Sequence, residues 1–311
     1  MKIGIIGRKG GFEGSIHNLL SLTIEGICEK LIQAGHFLYI EKGTFDNFKF
    51  TIGFYEDVNT FNYAISKFTQ ISENCDIAIV IGGDGTMLDA ANRLSGPIDK
   101  TIPLIGVNQG RVGFITDIPR EFAEEEIKEI LDGFSIEDVR SMLRIDFASK
   151  VSASGTTCLK SRHALNDIVF NQVGGRVIEF NVFVDEVFAY QTRGDGLIIA
   201  TPSGSTAYAM SAGGAILPPS AKVIEVIPML PQTLSYRPMI IGEDCGVTVE
   251  LVKGKAKVFA DGNDVASIES GAIFTVTKSE KVVKFLHHRS FDYFATLRQK
   301  LNWHLNPGER T

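Results

Sequence analysis

Residues 77–81 read Ile-Ala-Ile-Val-Ile, an unbroken apolar run that ends at Gly82-Gly83-Asp84-Gly85-Thr86. A strand with no polar face must be covered on both sides, which helices packed on a parallel sheet provide. The run therefore predicts a central parallel strand whose carboxyl end opens into a glycine turn and a helix. In open α/β sheets that is where ligands bind. The same pattern recurs on either side. Residues 2–6 (KIGII) lead into a glycine-broken loop over 7–14, and 37–40 (FLYI) and 103–107 (PLIGV) form further short strands. Between the first two, Leu19, Leu20, Ile24, Ile27, Leu31 and Ile32 recur at spacings of three and four, which predicts a helix over 15–34 closed by Gly35. Helices are also expected over 86–94 and 120–131, while 41–60 is unpatterned and reads as loop. Strands alternating with helices imply right-handed crossovers in a parallel sheet.

The pattern changes near residue 140. Residues 177–190 (VIEFNVFVDEVFAY) alternate around Asp185-Glu186 as a hairpin does. Apolar runs at 247–252, 256–260, 273–276 and 282–286 continue the strands, with Gly254, Gly262 and Gly271 marking turns. A helical tail over 291–303 carries Phe294, Leu297 and Leu301 on one side. The expected architecture is an α/β N-terminal domain with a parallel, Rossmann-like sheet over 1–140, the tail 290–311 folding back on it, and a β-rich C-terminal domain over 141–289.

Composition narrows the function. A chain of 311 residues suits two domains. A net charge of −6, with both signs interspersed, gives no basic face for nucleic acid. No apolar run approaches the ~18 residues of a membrane span, and the first apolar run is too short for a signal peptide, so a cytoplasmic protein is expected. Cys28, Cys75, Cys158 and Cys245 are widely spaced, without a paired-cysteine motif. They read as buried thiols, and no metal ligands are assigned.

Three segments carry chemistry. In residues 79–88 (IVIGGDGTML) the glycines Gly82, Gly83 and Gly85 remove Cβ atoms, so backbone can approach phosphates and adopt positive φ. Thr86 and the helix start supply donors for anionic oxygens. Asp84 is placed to orient or deprotonate a hydroxyl nucleophile; its alternative role is to cap the helix. In residues 195–214 (DGLIIATPSGSTAYAMSAGG) a strand enters a Pro-Ser-Gly turn and a helix of small residues. Hydroxyls and amides over 203–206 suit phosphate or ribose, and Tyr208 can stack on a ring. In residues 164–169 (ALNDIV), Asn166 offers a donor and an acceptor to a base edge and Asp167 can accept from ribose hydroxyls. Adjacent strand residues face opposite ways, so both serve one ligand only at a strand end or bulge. Neither a Walker-type loop nor a strict G-x-G-x-x-G occurs, which weakens an ordinary dehydrogenase reading. His163, His287 and His288 show no metal-ligand spacing and read as strand or surface residues.

Taken in order, GGDGT (82–86), GVNQGRVGFITD (106–117), LND (165–167), the 195–214 segment and ADGN (260–263) resemble the NAD kinase family over nearly the whole chain. GGDGT alone is shared with phosphofructokinases and lipid kinases, whereas TPSGSTAYxxSAGG is highly specific. The resemblance implies a phosphofructokinase-like N-terminal fold and transfer of a phosphoryl group, from ATP or polyphosphate, to the 2′-hydroxyl of the adenosine ribose of NAD. It implies Mg²⁺ accompanying ATP, and assembly as a homodimer or homotetramer. Asp84 becomes the catalytic residue, with Gly82, Gly83, Gly85 and Thr86 as the phosphate loop. The NAD-binding set becomes Asp84, Gly85, Asn166, Asp167, Arg176, Arg193, Asp195, Thr206, Ala207, Tyr208, Ser211 and Asn263. The chain departs from the family pattern at Asp167 (commonly Glu), Asp89 (often Arg) and Asn263 (often Gln). A lipid kinase, a non-catalytic dinucleotide sensor and a dehydrogenase are the rival readings; the 201–214 segment argues against the first and Asp84 against the second.

Overall fold

The computed structural model describes residues 1–8, 15–48, 62–110, 113–149 and 158–303. Most of the glycine-broken loop expected over 7–14, and residues 49–60 of the unpatterned stretch, lie outside them. The chain divides into two compact units: residues up to Val139 together with those from Val283 onward, and Arg140–Val282.

In the first unit β1 (Lys2–Gly7), α1 (Ser15–Gln33), β2 (Phe37–Glu41), α2 (Lys42–Phe48), β3 (Tyr63–Ser66), α3 (Phe68–Asn74), β4 (Ile77–Gly82), α4 (Asp84–Leu94), β5 (Pro103–Asn108), β6 (Ile118–Pro119) and α5 (Ala123–Leu131) follow one another. The strands pair in parallel, as the apolar runs predict for β1, β2, β4 and β5; the order is β3-β2-β1-β4-β5, and β3, which no apolar run marked, extends the sheet at its edge. Every residue of β4 is buried, which is why none is polar. Leu20, Ile24, Ile27 and Leu31 of α1 meet Ile3, Ile5, Ile79 and Ile81 in one core. Gly35, at φ +83°, ends α1, with the His36 amide reaching back to the Leu31 carbonyl.

One expectation is corrected here. Residues 42–48 form the helix α2, not loop. Its anchor is polar: buried Glu41 accepts from the Thr44 amide at 2.7 Å and hydroxyl at 3.0 Å, and that hydroxyl accepts from the Gly7 amide at 2.8 Å. Such a cap leaves no apolar period to read.

The second unit begins within β7 (Ser135–Ser149) and continues with β8 (Cys158–Ala164), β9 (Asp167–Gln172), β10 (Ile178–Val184), β11 (Val187–Gly194), β12 (Gly196–Ala200), α6 (Tyr208–Ser211), β13 (Val223–Met229), β14 (Met239–Gly242), β15 (Val247–Lys253), β16 (Lys255–Ala260) and β17 (Asn263–Glu269). One antiparallel sheet runs β14-β13-β12-β9-β16-β17. A second antiparallel series joins β11, β10 and β15. The β10–β11 hairpin turns on Asp185 and Glu186, both at positive φ, as two-residue turns require. Phe170 and Phe180 pack edge to face in this unit's core, with centroids 6.3 Å apart.

The chain leaves this unit along β18 (Ile273–His288), whose Lys284 and Phe285 lie parallel to Pro103 and Leu104 of β5. It ends in α7 (Tyr293–Leu301), which belongs to the first unit. Among the described residues no helix is long and apolar enough to cross a membrane.

Candidate active site

β4 delivers Gly82 and Gly83 to the sheet's carboxyl edge, and Asp84 is the first residue of α4. Gly83 occupies the cap position, and the Asp84 side chain does not cap the helix. Instead its carboxylate turns toward residues 113–116. Oδ2 accepts from the Phe114 amide at 2.9 Å. Oδ1 accepts from the amides of Ile115 and Thr116, each at 3.2 Å, and from the Thr116 hydroxyl at 2.9 Å. The Asn108 carboxamide, at the end of β5, donates to the Thr116 hydroxyl at 2.9 Å and so turns it toward Asp84. A carboxylate offers about four acceptor positions. Among the described residues Oδ1 takes three donors and Oδ2 one, so Oδ2 has room for another. Gly113 allows this approach, because a Cβ there would collide with the carboxylate.

The glycines of the loop divide their work. A Cβ on Gly82 would press within 2.8 Å of Thr86 Cβ, so Gly82 serves close packing. Gly83 and Gly85 face open space. None of the three has positive φ, which corrects the expectation that the turn needs it; the room they leave is their contribution. That room is a cleft of about 400 Å³ lined by Ile6, Gly7, Arg8, Gly83, Gly85, Thr86 and Asp89, at the carboxyl ends of β1 and β4. Asp89 pairs with Arg93 at 2.8 Å.

The second unit shows a related device. The Asp261 carboxylate accepts from the amides of Leu165 and Asn166, both at 2.7 Å, and of Asp167 at 3.1 Å. It does so from a residue with φ +47° in the turn between β16 and β17. The Asn166–Asp167 pair lies at the very start of β9, the strand end that two neighbours need in order to serve one ligand. Asn166 is half-buried. Asp167 is 6 % exposed, and burial, reinforced by the Asp261 charge, pushes its carboxyl up to about 7.

Around the end of β12, the small-residue helix is shorter than its sequence suggests. A single turn over Gly204–Thr206 precedes the four residues of α6. The hydroxyls also divide. Ser205 is fully buried and bridges the Pro202 carbonyl at 2.7 Å and the Leu217 amide at 3.0 Å; Thr201 donates to the Leu165 carbonyl. These two hold the loop's shape, which corrects the expectation that the whole 203–206 run faces a ligand. Thr206 and Ala207 are half-buried, while Tyr208 and Ser211 are exposed and accessible. Arg176 is exposed between β9 and β10, and Arg193 pairs with Glu179 at 3.5 Å. Asp195 links backbones, its amide donating to Met229 and its carbonyl accepting from Gln172. Asn263 is exposed, and its carboxamide donates to the Asp261 carbonyl at 3.3 Å.

Residues 3–137 match the ATP-NAD kinase N-terminal domain and residues 165–288 the ATP-NAD kinase C-terminal domain. A NAD kinase of Azoarcus sp. (strain BH72) is 37% identical over 287 residues, 92% of each chain. The chain belongs to the NAD kinase family. A NAD kinase of Aromatoleum aromaticum is 40% identical over 247 residues, 79% of this chain and 80% of that one. Among solved structures, yeast NADH kinase complexed with NADH shares the fold at a TM-score of 0.80 and 20% identity, covering 99% of this chain and 89% of that one. A NAD kinase from Archaeoglobus fulgidus in complex with ATP does so at 0.69 and 24%, covering 97% and 99%.

Within this NAD kinase frame, several residues that shape the two clusters have no role assigned from sequence. Asn108, Gly113 and Thr116 build the seat of Asp84, and their signal is the 106–117 segment, whose residues act largely through backbone amides. Asp261 lies inside the ADGN segment but works on residues 165–167. Arg140 is 3 % exposed and donates to the Ser203 hydroxyl at 3.1 Å, supporting the 201–206 loop from within its own unit. No local pattern marks it.

Proposed function

We propose that the chain phosphorylates NAD, moving the γ-phosphoryl group of Mg²⁺-ATP to the 2′-hydroxyl of the adenosine ribose and releasing NADP, ADP and a proton. The observation that carries this reading is the Asp84 carboxylate: fixed by four donors from residues 114–116, on the loop whose Gly83, Gly85 and Thr86 line a cleft. Asp84 takes the 2′-hydroxyl proton as that oxygen attacks the γ-phosphorus and the bond to the β-phosphate oxygen breaks. Phosphoryl transfer depends mainly on positioning and charge, and a carboxylate that cannot swing supplies position. Gly82, Gly83, Gly85 and Thr86 form the phosphate loop, with Arg8 on the cleft wall as a further cation. Among the described residues no three His, Cys, Asp or Glu side chains gather as a metal site. Mg²⁺ would accompany ATP and neutralise charge on its phosphates.

In the same reading the first unit, up to Val139 and from Val283 onward, carries the phosphoryl chemistry, and the second unit, Arg140–Val282, binds the nucleoside. There Asn166 addresses the base edge and Asp167 the ribose. Thr206, Ala207, Tyr208 and Ser211 form the nucleoside wall, while Arg176, Arg193, Asp195 and Asn263 complete the contacts. Assembly as a homodimer or homotetramer belongs to the same reading. The buried thiols Cys28 and Cys75, each pushed up to about 12 chiefly by burial, suit a reducing cytoplasm.

The test is NADP formation from NAD and Mg²⁺-ATP, read with an NADP-specific dehydrogenase, with Asp84→Asn alongside. Loss of a general base lowers turnover by about 10²–10⁴-fold, and NAD affinity should hold within about threefold. Wild-type turnover in Asp84→Asn would remove the carboxylate from the chemistry. Replacing ATP by polyphosphate in the same assay decides the second donor.

A further inference from the structure

His287, near the end of β18, is used by no step of the reaction described above, yet its surroundings are those of a built site. It is 1 % exposed. Its Nδ1 lies 3.0 Å from Asp117 Oδ2 and its Nε2 3.4 Å from Asp138 Oδ2. Phe291 stacks on the ring with centroids 4.0 Å apart and planes 12° from parallel, which fixes the plane in which the nitrogens point. Neither ring nitrogen meets its carboxylate in hydrogen-bond alignment, so the two aspartates act on the ring as close flanking charges, which favour the imidazolium over the neutral imidazole. Burial opposes that charge; Asp117 and then Asp138 outweigh it and hold the histidine above its ordinary value.

Asp117 immediately follows Thr116, and residues 114–116 supply the four donors that hold Asp84. Asp117 is itself 8 % exposed, so its charge needs a partner. The other groups facing this spot come from α5 and the end of β18. Glu126 is raised by burial first, with Asp117, Glu129 and Glu125 adding to it and His288 opposing. His288 bonds Glu129 at 2.6 Å. Glu126 of α5 thus opposes Asp117 in charge, while His287 is the opposite-charge partner 3.0 Å from it.

We propose that His287 is a positioning residue for phosphoryl transfer: through Asp117 it pins the 113–116 turn, and through that turn it sets the orientation of the Asp84 carboxylate. This rests on the reading of Asp84 as the residue that takes the hydroxyl proton. Its sign with pH is defined. A histidine held above its ordinary value is fully charged at lower pH and loses its charge as pH rises through that raised value. Turnover should fall along the same limb.

The experiment measures kcat and KM for NAD against pH in the full-length wild type and in His287→Gln, Asp138→Asn and Asp84→Asn. His287→Gln should lower kcat by roughly tenfold to a hundredfold, leave KM within about threefold, and abolish the alkaline fall. Asp138→Asn removes one of the two carboxylates and should move that fall to lower pH. A His287→Gln enzyme with wild-type kcat and an unchanged alkaline limb overturns the proposal while leaving an inactive Asp84→Asn to uphold the reading beneath it. An active Asp84→Asn overturns both. Should His287→Gln fail to fold, the Asp138→Asn profile decides alone, and an unshifted limb overturns the proposal.

Discussion

Each unit of the molecule uses an aspartate carboxylate to gather the amides of a distant chain segment, and the two differ in what is left over. Asp84 takes three amides and a hydroxyl from residues 114–116 and keeps one acceptor position on Oδ2, beside open glycines. Asp261 takes the amides of residues 165–167, while its own backbone sits at positive φ in a tight turn. The first arrangement leaves a reactive oxygen held still. The second fixes backbone and places two neighbouring side chains, Asn166 and Asp167, at a strand start. On the proposed reading the same hydrogen-bonding device serves chemistry in one unit and scaffolding in the other, according to whether the carboxylate itself remains within reach.

Two glycine substitutions test that division most severely. In Gly204→Ala the new methyl would meet the Asn166 backbone, with its carbonyl carbon at 2.6 Å, and backbone cannot step aside. The expected result is a loss of about 2–4 kcal/mol of stability, seen as a lower Tm of the second unit and weakened nucleotide binding. In Gly113→Ala the methyl would meet Asp84 Cγ at 2.6 Å and the Thr116 hydroxyl, so the carboxylate must rotate. Turnover should drop by about 10²-fold, with a smaller loss of stability. If Gly113→Ala lowers only Tm and keeps its kcat, the carboxylate's orientation does not govern the chemistry, and the contrast between the units dissolves.

How far the sequence foretells this depends on how local each interaction is. The strand β4 and the turn after it are legible because burial on both faces and glycine spacing are written into consecutive residues. The β10–β11 hairpin is legible for the same reason. The seat of Asp84 is not, since three of its four donors are backbone amides some thirty positions away, and an amide leaves no mark on residue type. His287 reads as an ordinary strand residue because its partners, Asp117 and Asp138, reach it only through the fold. The helix α2 is hidden by its polar anchor Glu41–Thr44. Around residues 201–206 the hydroxyl-rich text overstates the ligand surface, since Thr201 and Ser205 are spent on holding the loop.

A middle-sized effect should come from Asp167. Its carboxyl is pushed up to about 7, first by burial and then by the Asp261 charge. A carboxyl raised in the folded state favours folding while protonated and costs stability as pH rises from its unfolded value toward the raised one. The penalty at pH 8 is at most about 4 kcal/mol. Asp167→Asn should therefore melt roughly 4–8 °C higher than the wild type at pH 8 without nucleotide, the gain shrinking as pH is lowered from 7 toward 4. The same variant should bind NAD about tenfold more weakly, having lost an acceptor for ribose. Higher Tm with weaker binding would mark Asp167 as strained for its ligand. Equal melting across the pH range would mean that neither burial nor the Asp261 charge disfavours the Asp167 carboxylate, and that the Asp261 cluster is scaffold alone.

The smallest effect concerns Asp89, which brings a negative charge to the wall of the cleft where phosphates would enter. Its neighbours on that wall include Arg8, and it pairs with Arg93 across one helical turn at 2.8 Å. A partly exposed pair of this kind is worth a few tenths of a kcal/mol, so Asp89→Asn should leave α4 intact. Removing a like charge near incoming phosphates should lower KM for ATP by about twofold, and the gain should fade with added salt, since exposed charges are screened over about 10 Å at 0.1 M. The Asp84 carboxylate is seated by residues 114–116 and takes none of its four bonds from Asp89, so kcat should not move. A change in kcat instead of KM would tie the charge of the cleft wall to the orientation of the carboxylate, and the phosphate-holding and proton-taking parts of the first unit would no longer be separable.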